Sequence, residues 1–220
     1  NDGHIYAIPQ FSSVKGENME TNYGQEAFWI QKRVLQWANY PQITTVDEYF
    51  DLINAYAAEH PETDGQPTIG FEILTDDWRY FTLENPPAFL AGYPNDGAAI
   101  VNPDTLEAKV YDTLPEAKAY FQKLSEQYDK GTVDPEAFTA KYDQYIAKLS
   151  SGRVLGMVDQ YWQFEQAVNS LRSQGKDEMT YVPFGLVLDP SVQPQYKEVP
   201  SLNTTGGLGI TISKDDVEGT

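Results

Sequence analysis

The 220-residue sequence predicts an α/β fold with a mixed sheet flanked by helices, and three observations carry that prediction. Strand-like apolar runs alternate with segments of helical periodicity. Val154-Leu155-Gly156-Met157-Val158 is a continuous apolar run, as expected of a central strand covered on both faces. Two hairpin-like connections interrupt the alternation, so the sheet is mixed rather than purely parallel.

The elements follow in order. Asn1-Asp2-Gly3 reads as a turn, Ile5-Tyr6-Ala7-Ile8 as a strand stopped by Pro9, and the polar stretch 12–24 as a loop. Ala27-Phe28-Trp29-Ile30 is a short buried strand or the start of a helix covering 31–38. Thr45-Val46-Asp47-Glu48 is a capping box, and Val46, Tyr49, Phe50, Ile53, Tyr56 and Ala57 then share one helical face up to His60-Pro61. Residues 61–67 read as a polar loop and 68–74 as a strand. A polar and aromatic cluster, Asp76-Asp77-Trp78-Arg79-Tyr80, precedes Asn85-Pro86-Pro87. Ile100-Val101 and Ala108-Lys109-Val110-Tyr111 flank the turn Asn102-Pro103-Asp104-Thr105.

Thr113-Leu114-Pro115-Glu116 is a second capping box, opening a helix with Ala117, Tyr120, Phe121, Leu124 and Tyr128 on its buried face and Lys130-Gly131 at its end. Asp134-Pro135-Glu136 starts a third helix, with Phe138, Tyr142, Tyr145, Ile146 and Leu149 inward and Ser150-Ser151-Gly152 as its stop. After the central strand come a helix over 162–174, a strand over 181–188, a polar Pro-rich stretch and a last strand over 207–212. There is no internal repeat and no low-complexity tract.

Composition narrows the function classes. The net charge of −18 argues against nucleic acid, whose phosphates need a basic face, and against anionic lipid. Hydrophobic residues at 40 %, with 4 Trp, 15 Tyr and 10 Phe, suffice for a real core. No apolar run approaches the ~20 residues of a membrane span. With no cysteine, disulfides, thiolate metal sites and Cys nucleophiles are excluded, while the compartment stays open. The start at Asn1 without a signal peptide reads as an excised piece or a mature fragment.

Catalytic signatures are missing. The sequence holds no Walker-type phosphate loop, no dinucleotide fingerprint and no nucleophile elbow, and Gly206-Gly207-Leu208-Gly209 lacks a following helix. His4 and His60 sit far apart without metal-ligand spacing. Asp76-Asp77 is the best local carboxylate pair, with a solvated turn as the alternative. Glu62, Asp64 and Gly65 lack the ligand pattern of a calcium loop. No catalytic residue, metal or cofactor is therefore predicted.

Two places set aromatics beside short polar groups at strand ends: Trp78-Arg79-Tyr80 and Tyr161-Trp162. In open α/β sheets the ligand crevice lies beyond the carboxyl ends of the strands. There a flat ring can stack on the apolar face of a sugar while Asp, Gln or Arg neighbours satisfy its hydroxyls. The alternative is that both tryptophans plug the core, which is the expectation for Trp29 and Trp37.

Five segments then resemble, in order, the sugar-type extracellular solute-binding proteins of bacterial ABC importers. They are Asp2-Gly3-His4-Ile5-Tyr6-Ala7-Ile8-Pro9, Thr44-Thr45-Val46-Asp47-Glu48-Tyr49, Gly131-Thr132-Val133-Asp134-Pro135-Glu136, Ser151-Gly152-Arg153-Val154-Leu155-Gly156-Met157 and Gly206-Gly207-Leu208-Gly209-Ile210-Thr211-Ile212. The resemblance implies one lobe of a type II periplasmic-binding-protein-like fold. That would be a single α/β domain over 1–220 between two hinge crossings, near 5–10 and 206–212, with the first lobe missing. It implies a receptor that captures a neutral oligosaccharide and delivers it to an ABC permease, extracellular and anchored as a lipoprotein, and not an enzyme. Trp162 matches a sugar-stacking aromatic, and Trp78 or Tyr80 falls where another stands. The predicted ligand-binding residues are thus Trp162, Tyr161, Trp78, Tyr80, Arg79 and Asp77. A calcium loop seen in some members is degraded here to Glu62-Thr63-Asp64-Gly65-Gln66.

Two rival readings stay open. The same fold could hold a peptide or amino acid, with Arg79 clamping its carboxylate. Alternatively, the chain could be a fragment of a carboxylate-dependent glycoside hydrolase.

Overall fold

The stretch Glu26–Gln31 folds as a strand buried at every position, and the main sheet is built around it. The computed structural model describes residues 8–9, 26–93, 99–102, 105–110, 113–194, 196 and 207–208. Two units divide the chain, one formed by Thr21–Lys197 and the other by Asn1–Glu20 with Glu198–Thr220.

In the second unit, β1 (Ile8–Pro9) pairs antiparallel with β10 (Gly207–Leu208), Ile8 opposite Leu208. The rest of the strands predicted at 5–8 and 207–212, and the loop at 12–24, lie outside the described residues.

In the larger unit the order is β2 (Glu26–Gln31), α1 (Lys32–Trp37), α2 (Val46–Glu59), β3 (Glu62–Thr63), β4 (Gln66–Pro67) and β5 (Ile69–Ile73). A 3-10 turn over Asp77–Tyr80, α3 (Phe81–Glu84), α4 (Pro86–Leu90), β6 (Ala99–Val101), β7 (Ala108–Val110) and α5 (Pro115–Asp129) follow. Then come α6 (Tyr142–Ser150), β8 (Val154–Gln160), α7 (Tyr161–Ser173) and β9 (Tyr181–Phe184). The four-stranded sheet runs β5-β8-β2-β9. β5 is parallel to β8, while β2 is antiparallel to both β8 and β9, so the sheet is mixed as predicted. β8 lies inside it, which explains its unbroken apolar sequence.

Strand alternation sorts the sheet into two faces. On one, Phe28 meets the rings of Tyr49, Phe71, Phe89 and Tyr120 at 5.5, 6.1, 6.0 and 6.2 Å, which seats α2, α4 and α5. On the other, Trp29 packs edge-on to Phe164 of α7 at 5.0 Å, and Lys148 of α6 reaches Glu72 of β5. Gly156 is where α2 comes closest: a Cβ there would run into the Tyr49 hydroxyl and sit 2.8 Å from Ile53 Cδ1.

Several expectations need correction. Residues 61–67 form the hairpin β3–β4 rather than a loop, because Asp64 and Gly65 both take positive φ (50° and 73°), the geometry of a tight primed turn. The helix expected from Asp134 begins at Tyr142. Asp134 instead accepts the Glu136 amide at 2.8 Å and the Lys148 ammonium at 2.8 Å, which closes a non-helical turn and leaves Phe138 51 % exposed. Pro86 opens α4, a helix that the sequence reading does not place. On α5, Gln127 takes the buried place near the C-terminus, while Phe121 and Tyr128 are exposed. β9 stops at Phe184, and Val187 makes only an isolated bridge to Thr45. Trp37 is not core: it is 38 % exposed, edge-on to Tyr56, with its indole N–H donated to Glu59.

Candidate functional site

Because β5 and β8 are parallel neighbours, with Ile69 opposite Val154 and Ile73 opposite Val158, their carboxyl ends share one edge of the sheet. The segment after β5 carries Trp78 and the one after β8 carries Trp162. The two indoles meet, with ring centroids 5.9 Å apart and planes within 11°. Phe81 continues the stack behind Trp78 at 6.1 Å and 21°. Trp78 is 50 % and Trp162 51 % exposed, so neither plugs the core.

Each limb is held by polar groups. On the β5 side, Thr75 donates to the Ala137 carbonyl at 2.9 Å and Thr82 to the Leu74 carbonyl at 2.6 Å. Asp76 accepts from the Lys141 ammonium at 2.9 Å and the Tyr142 amide at 3.0 Å, and these partners hold its carboxyl below its usual range. Its neighbour Asp77 takes a left-handed φ of 55° that swings the chain into the 3-10 turn. Asp76-Asp77 is therefore not a free carboxylate pair, since Asp76 anchors the start of α6. The Arg79 guanidinium lies 4.6 Å from the Trp78 ring and 4.1 Å from the Tyr142 ring, a cation between two aromatic faces.

On the β8 side, the indole N–H of Trp162 donates to Gln160 Oε1, which fixes the ring. Asp159 is fully buried behind it. Its carboxyl accepts from the Tyr145 hydroxyl (2.6 Å), the Gln160 amide (2.7 Å) and Gln163 Nε2 (2.6 Å). Burial pushes Asp159 up to about 7, against the pull of those three donors and of Arg79.

The six predicted ligand residues thus lie on the two limbs, but they are not equivalent. Trp78 and Trp162 form the stacked pair, and Tyr80 and Asp77 are exposed on the adjoining turn. Arg79 is engaged with Trp78 and Tyr142. Tyr161 faces inward, 5.9 Å from Trp29 and 5.4 Å from Phe164. Sequence reasoning missed Tyr142, Gln160 and Asp159 as supports. An acidic residue closing an apolar strand was a signal for Asp159, whereas Tyr142 read as ordinary helix core.

The opposite edge is different in kind. A cavity of about 340 Å³ opens where β5 and β8 begin, lined by Thr68, Ile69, Thr132, Asp134, Glu136 and Arg153. Lys148 engages its carboxylates, at 2.8 Å from Asp134 and 3.1 Å from Glu136. Paired exposed aromatics are absent from its lining, so the platform edge is the better ligand candidate. Among the described residues no group of three or more His, Cys, Asp or Glu side chains could hold a metal ion, and no helix is long and apolar enough to cross a membrane.

Comparison with known proteins agrees with this architecture. No family model matches the chain. Over 154 residues, 67 % of the chain, it is 25 % identical to the fructooligosaccharide ABC transporter substrate-binding protein FusA of Streptococcus pneumoniae. It spans 27 % of that protein. Among solved structures, an EF-hand mutant of S. pneumoniae FusA in complex with fructo-nystose superposes with a TM-score of 0.60 at 20 % identity, covering 88 % of this chain and 37 % of that one. An HMO-binding, ABC-transporter-associated solute-binding protein from Bifidobacterium longum infantis gives 0.61 at 22 % identity, with 87 % and 38 % covered. The chain is similar in sequence and fold to part of these solute-binding proteins, and coverage of that extent fits one lobe.

Proposed function

We propose that this chain is one lobe of a two-lobed extracellular receptor that captures a neutral oligosaccharide and passes it to an ABC permease. The observation that carries this reading is the pair of parallel, half-exposed indoles, Trp78 and Trp162, at the carboxyl ends of two parallel strands. An aromatic surface of this kind suits the apolar face of a pyranose or furanose ring. The pairing of β1 with β10 supports reading these two strands as the crossings to a second lobe. Ligand bridging two lobes would favour the closed state through contacts made only there. The net charge of −18 disfavours polyanionic sugars. The chain acts by binding, not catalysis; Asp76, the best carboxylate candidate, is occupied by Lys141 and Tyr142. The receptor works outside the cell, held at the membrane by a lipid anchor.

A thermal-shift panel on the full receptor carrying this chain tests the reading. The panel contains neutral fructooligosaccharides and other neutral glycans, uronic acid oligomers, and dipeptides. A shift from a neutral glycan that Trp162→Ala abolishes supports it. A shift from dipeptides alone, lost in Arg79→Ala and kept in Trp162→Ala, overturns it in favour of a carboxylate-binding receptor.

A further inference from the structure

The indole pair has one group behind both of its limbs. Asp159 closes the buried part of β8, and its carboxyl binds the Gln160 amide and the Gln163 side chain, the two sides of the corner that presents Trp162. The Gln163 carbonyl accepts the Tyr142 hydroxyl at 2.6 Å, and the Tyr142 ring lies 4.1 Å from the Arg79 guanidinium that backs Trp78. We infer that Asp159 is the positioning residue of the aromatic platform: its buried carboxylate fixes the Gln160 amide and Gln163, and through the Gln163–Tyr142–Arg79 contacts it joins the Trp78 limb to the β8–α7 corner and so sets the Trp78–Trp162 spacing. Its meaning for ligand capture rests on the receptor reading above; the spacing itself does not.

The surroundings give this carboxyl a choice of state. The Tyr145 hydroxyl of α6, the Gln160 amide and Gln163 of α7 donate to it, and they and the charge of Arg79 favour the anion. Beyond them, Glu72 of β5 and Tyr181 of β9 act on Tyr145, and Asp76 acts on Arg79. The Trp29 indole N–H donates to the Asp159 carbonyl at 2.8 Å, which ties the strand and not the carboxyl. Burial opposes the charge, placing the change of state at about 7. Protonation would put a hydroxyl hydrogen among three donors and loosen the hold on Gln163 and the Gln160 amide. Asparagine would do the same permanently, because its NH2 group also meets donors.

The experiment reads the pair without ligand, so its outcome is independent of what the platform holds. Two stacked indoles couple excitonically, and a twist between their transition dipoles gives a couplet in circular dichroism, isolated by subtracting the spectrum of Trp78→Phe. The 220-residue chain should lose couplet amplitude as pH falls through about 7 while its helix signal stays constant. Asp159→Asn should show the reduced amplitude at every pH. Tyr145→Phe removes a donor that favours the anion and should move the midpoint upward; it decides the matter even if Asp159→Asn does not fold. A couplet that ignores pH, one unchanged in Asp159→Asn, or a midpoint unmoved by Tyr145→Phe overturns the assignment.

Discussion

The indole of Trp78 lies parallel to that of Trp162, 5.9 Å away and tilted by 11°, although 84 residues separate them in sequence. They meet because β5 and β8 are parallel neighbours, β5 leading into the 3-10 turn Asp77–Tyr80 and β8 directly into α7. Both rings remain half exposed, so they add little to the core. Trp162→Ala should therefore cost only about 1 kcal/mol of unfolding free energy in urea, the scale of one aromatic pair. Saccharide affinity of the full receptor should fall at least about tenfold, equivalent to about 1.4 kcal/mol, by isothermal titration. An equal loss in stability and no loss in affinity would count against the platform.

The two capping boxes seen in the sequence behave differently. At α2, Thr45 Oγ1 accepts the Glu48 amide at 3.2 Å, and Glu48 Oε2 accepts the Thr45 and Thr44 amides at 3.0 and 2.9 Å. At α5 the cap position falls on Leu114, which has no side-chain bond, and Thr113 donates instead to the Val110 carbonyl at 2.7 Å. Thr45→Ala should cost about 1 kcal/mol in a urea melt. Thr113→Ala should stay within about 0.5 kcal/mol, as for an ordinary surface change.

That contrast shows what was legible. Periodicity located α2, which buries a regular stripe, and the unbroken apolar run located β8, which is covered on both faces. The hairpin signature placed β6 and β7, and the strand-end rule placed both indole limbs. What failed had the right residue types but a non-local competitor. Asp134 looks like a helix start, yet Lys148, 14 residues on, takes its carboxylate. Asp76 looks like half of a carboxylate pair, yet Lys141 claims it. Trp37 looks like core, yet the short α1 leaves its ring at the surface against Tyr56. Local pattern cannot report which distant cation reaches which acid.

Gly156 is legible only in three dimensions. It sits in β8 beneath α2, where an added Cβ would collide with the Tyr49 hydroxyl, itself donating to the Trp29 carbonyl at 2.7 Å. Beyond Ile53 Cδ1 at 2.8 Å, its third neighbour would be that same carbonyl oxygen, at 3.0 Å, which is strand backbone and cannot move aside. Gly156→Ala should cost at least about 1–3 kcal/mol through overpacking, read as a lower urea midpoint. A neutral result would mean that α2 moves away from the sheet at little cost.

The second face of the sheet carries a buried ionic group that gives the fold a pH dependence. Lys148 lies 2.8 Å from Asp134 and 3.4 Å from the fully buried Glu72. Burial, and then the charge of Asp134, raise Glu72 from its ordinary 4.5 to about 8. Burial would raise Asp134 too, but the Lys148 ammonium, the Glu136 amide and the Glu72 carboxyl together hold it below its usual value. A carboxyl whose folded value is raised binds its proton more tightly in the native state. Its stabilising contribution is complete below 4.5 and drains away as pH rises towards about 8. Asp159, raised to about 7, acts in the same direction and stops sooner. Asp134 acts oppositely, losing its contribution as pH falls. Glu72→Gln should therefore flatten the decline in urea midpoint, above all over its upper part between about 7 and about 8. Lys148→Met keeps the stem but leaves Asp134 buried without its cation, and should cost about 3–5 kcal/mol at neutral pH. If Glu72→Gln reproduced the wild-type pH profile, the proton would not reside on Glu72, and the coupling through Lys148 would have to be assigned to Asp134 alone.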